Sequence, residues 1–138
     1  MPRFRRCPAA ILVVALAIVP LLPARSSDIQ WQKSYVEAMQ LAKRQKKPVL
    51  LQFYAEWCSP CKMMAATTLK SGEVVKLSRR FIPVRVDVDK AQELADRFQV
   101  GTIPYSAVVA PDGKLVRASR GYHDAQTYCI FLKQSLPN

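Results

Sequence analysis

The stretch VLLQFYAEWCSPCKMM, residues 49–64, decides the fold. Its opening, VLLQFYA, is a nearly continuous apolar run interrupted by Gln52. A run of that length and character suits a strand buried on both faces of a sheet. WCSPC follows at once and opens a helix, with Pro60 in the first turn, where a missing N–H costs nothing. In open α/β sheets the carboxyl end of a strand is where chemistry gathers. Two thiols, Cys58 and Cys61, fall at that point.

Outward from this stretch, strand and helix alternate. Upstream, SYVEAMQLAKRQKK (34–47) predicts a helix that Pro48 stops. Ser34 and Glu37 form a capping box, Tyr35, Ala38, Leu41 and Ala42 share a face, and cations load the end. Downstream, helix runs from Pro60 to about Arg80, with a break near Ser71 and Gly72. IPVRVDV (82–88) alternates with period two and predicts a second, parallel strand. AQELADRFQV (91–100) returns as helix on Ala91, Leu94, Ala95 and Phe98. YSAVVA (105–110) and LVRASR (115–120) flank PDGK, a strong hairpin signal. DAQTYCIFLKQSL (124–136) is a helix capped by Asp124, with Ala125, Tyr128, Cys129 and Leu132 on one face. A further strand around residues 28–31 has only a faint signal. The order specifies an α/β fold: a central mixed sheet of four to five strands, flanked by helices, with an antiparallel C-terminal hairpin.

The chain has 138 residues, room for one domain, and half of them are hydrophobic, ample for a core. Residues 1–26 differ from the rest. Arg3, Arg5 and Arg6 precede an apolar run over residues 9–22, and Ala24 and Ser26 then give the small-x-small pattern that signal peptidase reads. As a helix, 14 residues would span roughly 21 Å, short of a hydrocarbon core of roughly 30 Å. The expected division is a signal peptide at 1–26, cleaved after Ser26, and a working domain at 27–138. Retention as an N-terminal anchor is the alternative, and either way the domain leaves the cytoplasm. Loss of the leader removes four arginines, taking the net charge from +11 to +7. The remaining cations are scattered: Lys43 to Lys47 at one helix end, Arg79 and Arg80 at another, Arg117 and Arg120 on a strand. No aromatic residues interleave with them for base stacking, which argues against nucleic acid. Solvated surface, with some attraction to anionic lipid headgroups or acidic partners, is the expectation.

At a helix N-terminus, unsatisfied N–H groups and the positive dipole end favour a Cys58 thiolate. Cys61, one turn on, faces back within reach of a small disulfide ring. An exposed, acidified Cys58 would attack a disulfide, and a sheltered Cys61 would resolve the mixed disulfide. Three alternatives stay open. Structural zinc needs four ligands, and the chain has no second cysteine pair and a single histidine, His123. A two-thiolate Cu(I) site passes the ligand count. A purely structural disulfide would close so short a loop that it removes little chain entropy. Elsewhere, Cys129 reads as a buried hydrophobe, Met63 and Met64 as packing residues, and His123 as a surface residue without a partner.

These residues resemble the thioredoxin family over essentially the whole chain after the leader. VLLQFYAEWCSPCKMM is similar to that family's strand and active-site turn, and VGTIPYSAVVAPDGKLV to its cis-proline loop and hairpin. CxxC alone is weak, but WCxxC followed about 45 residues later by a TIP tripeptide is specific. Trp31, KKPVLLQFYAEWC and GYHDAQTY look closest to exported branches, such as the C-terminal periplasmic domain of the thiol:disulfide interchange protein. The resemblance implies a thioredoxin fold and an enzyme of the thiol–disulfide oxidoreductase class. It implies that Cys58 is the attacking thiol, Cys61 the resolving one and Trp57 the bordering aromatic, with Pro60 supporting the turn. By the same resemblance, the bond before Pro104 is cis and the backbone of Ile103 pairs with a substrate strand.

One departure stands out. Many thioredoxins bury an aspartate in this strand, beneath the resolving cysteine; here the residue is Gln52, and an amide cannot serve as a base. Arg85 stands where the family often has lysine. Cys61 is therefore expected to lose its proton to water, to Glu56 or to the leaving thiolate. Ser59-Pro60 replaces the Gly-Pro common in the family, which leaves the direction of electron flow open, with a reductase preferred. The dithiol itself cycles, so no bound cofactor or metal is expected. Partners would be disulfide-containing clients and a redox protein that recycles the pair, with the chain a monomer and no membrane span after cleavage. A bacterial periplasm is the expected compartment; anchorage facing the periplasm and secretion are the alternatives. A disulfide oxidase, or a non-enzymatic module of the same fold that delivers copper or holds a client, is the competing function.

Overall fold

A computed structural model describes residues 27–137, so the expected leader at 1–26 lies outside the described residues. The elements run α1 (Tyr35–Gln45), β1 (Val49–Tyr54), α2 (Ser59–Ala66), a 3₁₀ turn (Thr68–Lys70) and α3 (Gly72–Ser78). β2 (Ile82–Asp87), α4 (Gln92–Arg97), β3 (Tyr105–Val109), β4 (Leu115–Arg120) and α5 (Ala125–Gln134) complete the order. The sheet order is β2-β1-β3-β4. β1 pairs parallel with β2 and antiparallel with β3, placing Gln52 beside Arg85 on one side and Ser106 on the other. The faintly signalled strand near residues 28–31 reduces to one bridge, Gln32 to Val84.

β1 is apolar on both faces because it lies at the middle of three layers. Val49, Leu51 and Phe53 pack with Ala38 and Ala42 of α1, Ala95 of α4 and Tyr105 of β3. Leu50 faces the other way, into Met64, Val74, Tyr128 and Leu132 from α2, α3 and α5. Gln52 lies on this second face by the two-residue alternation of a strand. Burying a side chain such as Phe53 or Leu50 contributes about 1.5–3 kcal/mol relative to exposure. Such contacts hold the strand that carries the cysteine turn.

The helix ends differ in detail from the sequence expectation. Ser34 caps α1 by accepting the Glu37 N–H, as expected, but the helix ends at Lys46, in left-handed backbone at φ 53, before Pro48 is reached. The break expected near Ser71 and Gly72 is present, with Ser71 in extended backbone as the N-cap of α3, but it begins earlier, at Thr67. Two threonine hydroxyls explain it, since such side chains compete for backbone groups. Thr67 Oγ1 donates to the Met63 carbonyl at 2.8 Å, and Thr68 Oγ1 to the His123 carbonyl at 2.6 Å. His123 accordingly is not a partnerless surface residue: it is half-buried, and its Nε2 lies 2.6 Å from Ser119 Oγ. Cys129 is a buried free thiol, as expected, and desolvation pushes its pKa up. Among the described residues no helix is long and apolar enough to cross a membrane.

Candidate active site

β1 ends at Tyr54, and Ala55 begins the turn that leads into α2. The Cys58 N–H bonds the Ala55 carbonyl at 3.1 Å, which closes this turn. Cys58 then serves as the N-cap of α2, and its Sγ accepts the Cys61 N–H at 3.2 Å. That bond aims a helix-terminal donor at the sulfur, the arrangement that favours negative charge there. Pro60, in the first turn, has no N–H to leave unpaired. Cys58 and Cys61 form a disulfide with a Cα separation of 5.2 Å.

The pair is more sheltered than its sequence position suggests. Cys58 and Cys61 are each 3% exposed, so Cys58 is not the open thiol that was expected. With Ala55 they form a small cluster against Tyr54, Val88 and Ile103. Val88 and Ile103 lie well downstream, where no local pattern around WCSPC announces them. Trp57, by contrast, is 69% exposed, and its Nε1 donates to Asp89 Oδ2 at 2.9 Å. Asp89 was missed, because an acid after a strand reads as ordinary loop.

The Ile103–Pro104 peptide is cis. Pro104 is buried, and its carbonyl accepts the Gly121 N–H at 2.8 Å. Gly121 has φ 84, a left-handed conformation that glycine adopts freely. Its isolated position just after β4 was the signal that could have marked it. Ile103 is half-buried beside the cysteines, and its main chain joins no turn, cap or ladder hydrogen bond among the described residues.

Gln52 is 2% exposed and hydrogen-bonded through both ends of its amide. Its Oε1 accepts from Ser106 Oγ at 2.6 Å and from Tyr128 Oη at 3.0 Å. Its Nε2 donates to Met64 Sδ at 3.9 Å, one turn beyond Cys61 on α2. The structure thus connects Gln52 to the helix of the cysteines without a hydrogen bond to either sulfur. Burial pushes the Tyr128 phenol well above its ordinary pKa, with the Ser106 hydrogen bond opposing, so it remains a neutral donor. Tyr128 and Ser106 were missed as polar partners; Tyr128 read only as part of an apolar helix face. Met63 is 54% exposed, which corrects its reading as a packing residue, whereas Met64 is buried.

Arg85 and Glu56 meet Cys61 elsewhere. Both line a cavity of about 340 Å³ with Cys61, Lys62, Tyr54 and Ala65. The Arg85 guanidinium stacks 4.1 Å from the Tyr54 ring centroid, and its buried Nε has no hydrogen-bond partner among the described residues. A cavity of that size, lined in part by Glu56, Lys62 and Arg85, has room for water beside Cys61. Among the described residues no three His, Cys, Asp or Glu side chains are grouped to hold a metal ion.

A redox-capable disulfide at a helix N-cap, beside a cis-proline loop on a mixed four-stranded sheet, is the arrangement that comparison with known proteins recovers. Residues 30–111 match the family model described as thioredoxin-like. A thioredoxin-like protein of Synechocystis sp. is 31% identical over 94 residues, spanning 68% of this chain and 87% of that one. The thioredoxin of Thermus thermophilus superposes with a TM-score of 0.71 at 29% identity, covering 78% of this chain and 86% of that one. The reduced DsbD C-terminal domain of Neisseria meningitidis gives a TM-score of 0.62 at 32% identity, covering 73% and 93%. The match spans about half the length of other curated relatives, such as thioredoxin Y of rice and thioredoxin-1 of Drosophila melanogaster. The chain belongs to the thioredoxin-like family. Its CxxC-type disulfide, Cys58–Cys61, supports thiol–disulfide oxidoreductase activity.

Proposed function

We propose that this chain is an exported reductase of protein disulfides, with residues 1–26 a cleaved signal peptide and 27–138 the working domain. The observation that carries the reading is the Cys58 sulfur at the N-cap of α2, accepting the Cys61 N–H at 3.2 Å. In the reduced protein that N–H and the helix end stabilise a Cys58 thiolate. The thiolate attacks one sulfur of a client disulfide, forming a mixed disulfide and releasing a client thiolate. Cys61 then loses its proton and attacks Cys58 Sγ, releasing the second client thiolate. Two electrons pass to the client, which leaves as a dithiol, and Cys58–Cys61 returns as the disulfide. A second redox protein must reduce it again, and no bound cofactor or metal enters the cycle.

The remaining site residues take supporting roles. Trp57 borders the sulfurs, and Ile103, preceding Pro104, offers an unpaired main chain to an extended client segment. Gln52 is a positioning residue: its amide has no basicity, and its oxygen is occupied by two donors. The Cys61 proton leaves to water in the cavity it shares with Glu56 and Arg85, or to the departing client thiolate. Export, to a bacterial periplasm, draws on the charge and apolar pattern of residues 1–26 and on similarity to the DsbD C-terminal domain. A copper-delivering or client-holding module is the second reading, favoured by the exposed thioether of Met63 two residues after Cys61.

Thiol trapping in cells separates these readings. A mostly reduced Cys58–Cys61 pair, with client mixed disulfides accumulating on Cys61→Ser, is the expected result. A mostly oxidised pair would assign an oxidase. Tight one-to-one Cu(I) binding without disulfide turnover would assign the metal-delivering module.

A further inference from the structure

We propose that the end of the molecule opposite the disulfide is a docking surface for an anionic lipid membrane. Cations that look scattered along the sequence are gathered there, because α1, α3 and α5 all end at that pole. Lys46, Lys47, Arg79 and Arg80 line one hollow together with Leu136 and Pro137. Arg80 continues into a second hollow of about 560 Å³ that also carries Lys76 and Lys133. Among the described residues, Glu73 is the sole acid lining either.

Helix dipoles explain part of this charge. Lys76 and Lys133 lie in the last turns of α3 and α5, where a cation complements the helix end. Lys46, Lys47, Arg79 and Arg80 lie past the last turns and add charge the dipoles do not require. Lys46 even occupies left-handed backbone, φ 53, where glycine is the usual choice. The pole sits before the first residue of β1 and the disulfide after its last, so the strand separates them by roughly 20 Å.

A membrane fits better than an acidic protein because of where the chain enters. Asp28, ion-paired to Lys70 at 2.8 Å, lies between two clefts, one shared with Lys47 and Arg79 beside the basic pole and one with Ala65 and Arg85. The described chain thus begins beside the cationic side, and the sequence that precedes it carries the apolar run at 9–22, ending six residues before Asp28. Each cation close to an anionic leaflet strengthens adsorption roughly fivefold, and salt screens the effect. Adsorbed this way, the protein turns Trp57 and the disulfide toward the aqueous phase.

The test is co-sedimentation of the full chain with vesicles of phosphatidylglycerol and phosphatidylcholine in equal parts, and with phosphatidylcholine alone. The apolar leader can enter either bilayer, so the readout is the ratio of the two affinities. At low salt that ratio should exceed about tenfold and should collapse at high salt. K76E/R80E should lower it at least about tenfold, and K46Q/K133Q should lower it too, while solution turnover of a disulfide substrate is unchanged. R117E/R120E makes the same charge change on β4 as K76E/R80E and should leave the ratio within about threefold. Equal binding to both vesicles overturns the proposal, as does equal loss in K76E/R80E and R117E/R120E, which would mean net charge rather than a pole. Binding to polyglutamate but not to anionic vesicles would assign the pole to an acidic protein and overturn the lipid reading.

Discussion

The two faces of β1 are built on different terms. On one, Val49, Leu51 and Phe53 meet α1, α4 and their surroundings through aliphatic and aromatic contact, with Phe53 5.8 Å from both Phe98 and Tyr105. On the other, Leu50 packs in the same way, but Gln52 interrupts it with hydrogen bonds to Ser106, Tyr128 and Met64. Removing area is what hurts the first face. Removing direction is what hurts the second, because a buried polar group needs its partners in place. The directed face is the one on which α2 and the cysteines rest. Precision is concentrated under the chemistry, and bulk supports it from behind.

The largest expected contrast pairs Cys58→Ser with Phe53→Ala. Loss of Cys58 should abolish disulfide turnover in an insulin-reduction assay while leaving the thermal unfolding of the reduced protein nearly unchanged. Phe53→Ala should cost about 3–5 kcal/mol in denaturant unfolding, yet preserve turnover per folded molecule. A Phe53 variant that folded but lost turnover would dissolve the distinction between the faces.

Next comes Tyr128→Phe, which keeps the ring and removes one of two donors to Gln52 Oε1. It should cost about 1 kcal/mol, and combining it with Ser106→Ala should cost more than the sum, since the second change strips the amide of its last donor. Strict additivity in urea melts would mean that the three groups do not act as one network. Gln52→Asp is a smaller and opposite test. A carboxylate here can take a proton, so disulfide exchange near neutral pH should rise severalfold by stopped-flow, and an unchanged or slower rate counts against loss of the Cys61 proton to water, Glu56 or the departing thiolate for want of a base at residue 52.

How far the sequence reached follows the same division. The apolar face was legible, because a hydrophobic run as short as 49–55, interrupted only by Gln52 and closed off by Pro48 and the cysteine turn, suits a doubly buried strand. The cysteine pair was legible from its spacing after that strand. The directed face was not. Tyr128 lies on a helix face whose neighbours, Cys129 and Leu132, are apolar, so its hydroxyl gave no local sign of a partner 76 residues away. The cluster that holds Cys58 packs against Ile103 and Val88, and His123 meets Thr68 and Ser119. The convergence of three helix ends into one basic pole is equally non-local. Periodicity reports which way a residue faces, but not what it meets.

The smallest expected effect concerns how α5 is held against that directed face. Asp124 caps the helix through the Thr127 N–H at 2.8 Å, and that bond holds its carboxyl below the ordinary value of 3.8. A carboxylate with a folded-state pKa lower than its unfolded one stabilises the fold above the unfolded value. The contribution is lost as pH falls through the still lower folded value. Asp124→Ala should therefore be less stable than the parent at pH 7, and the gap should narrow as the pH is taken below 3.8. Urea melts at both pH values measure it. Because Tyr128 follows one turn after this cap, Asp124→Ala should also weaken the coupling between Tyr128→Phe and Ser106→Ala at pH 7. An undiminished coupling would show that packing alone, rather than the capped first turn, sets the phenol over Gln52.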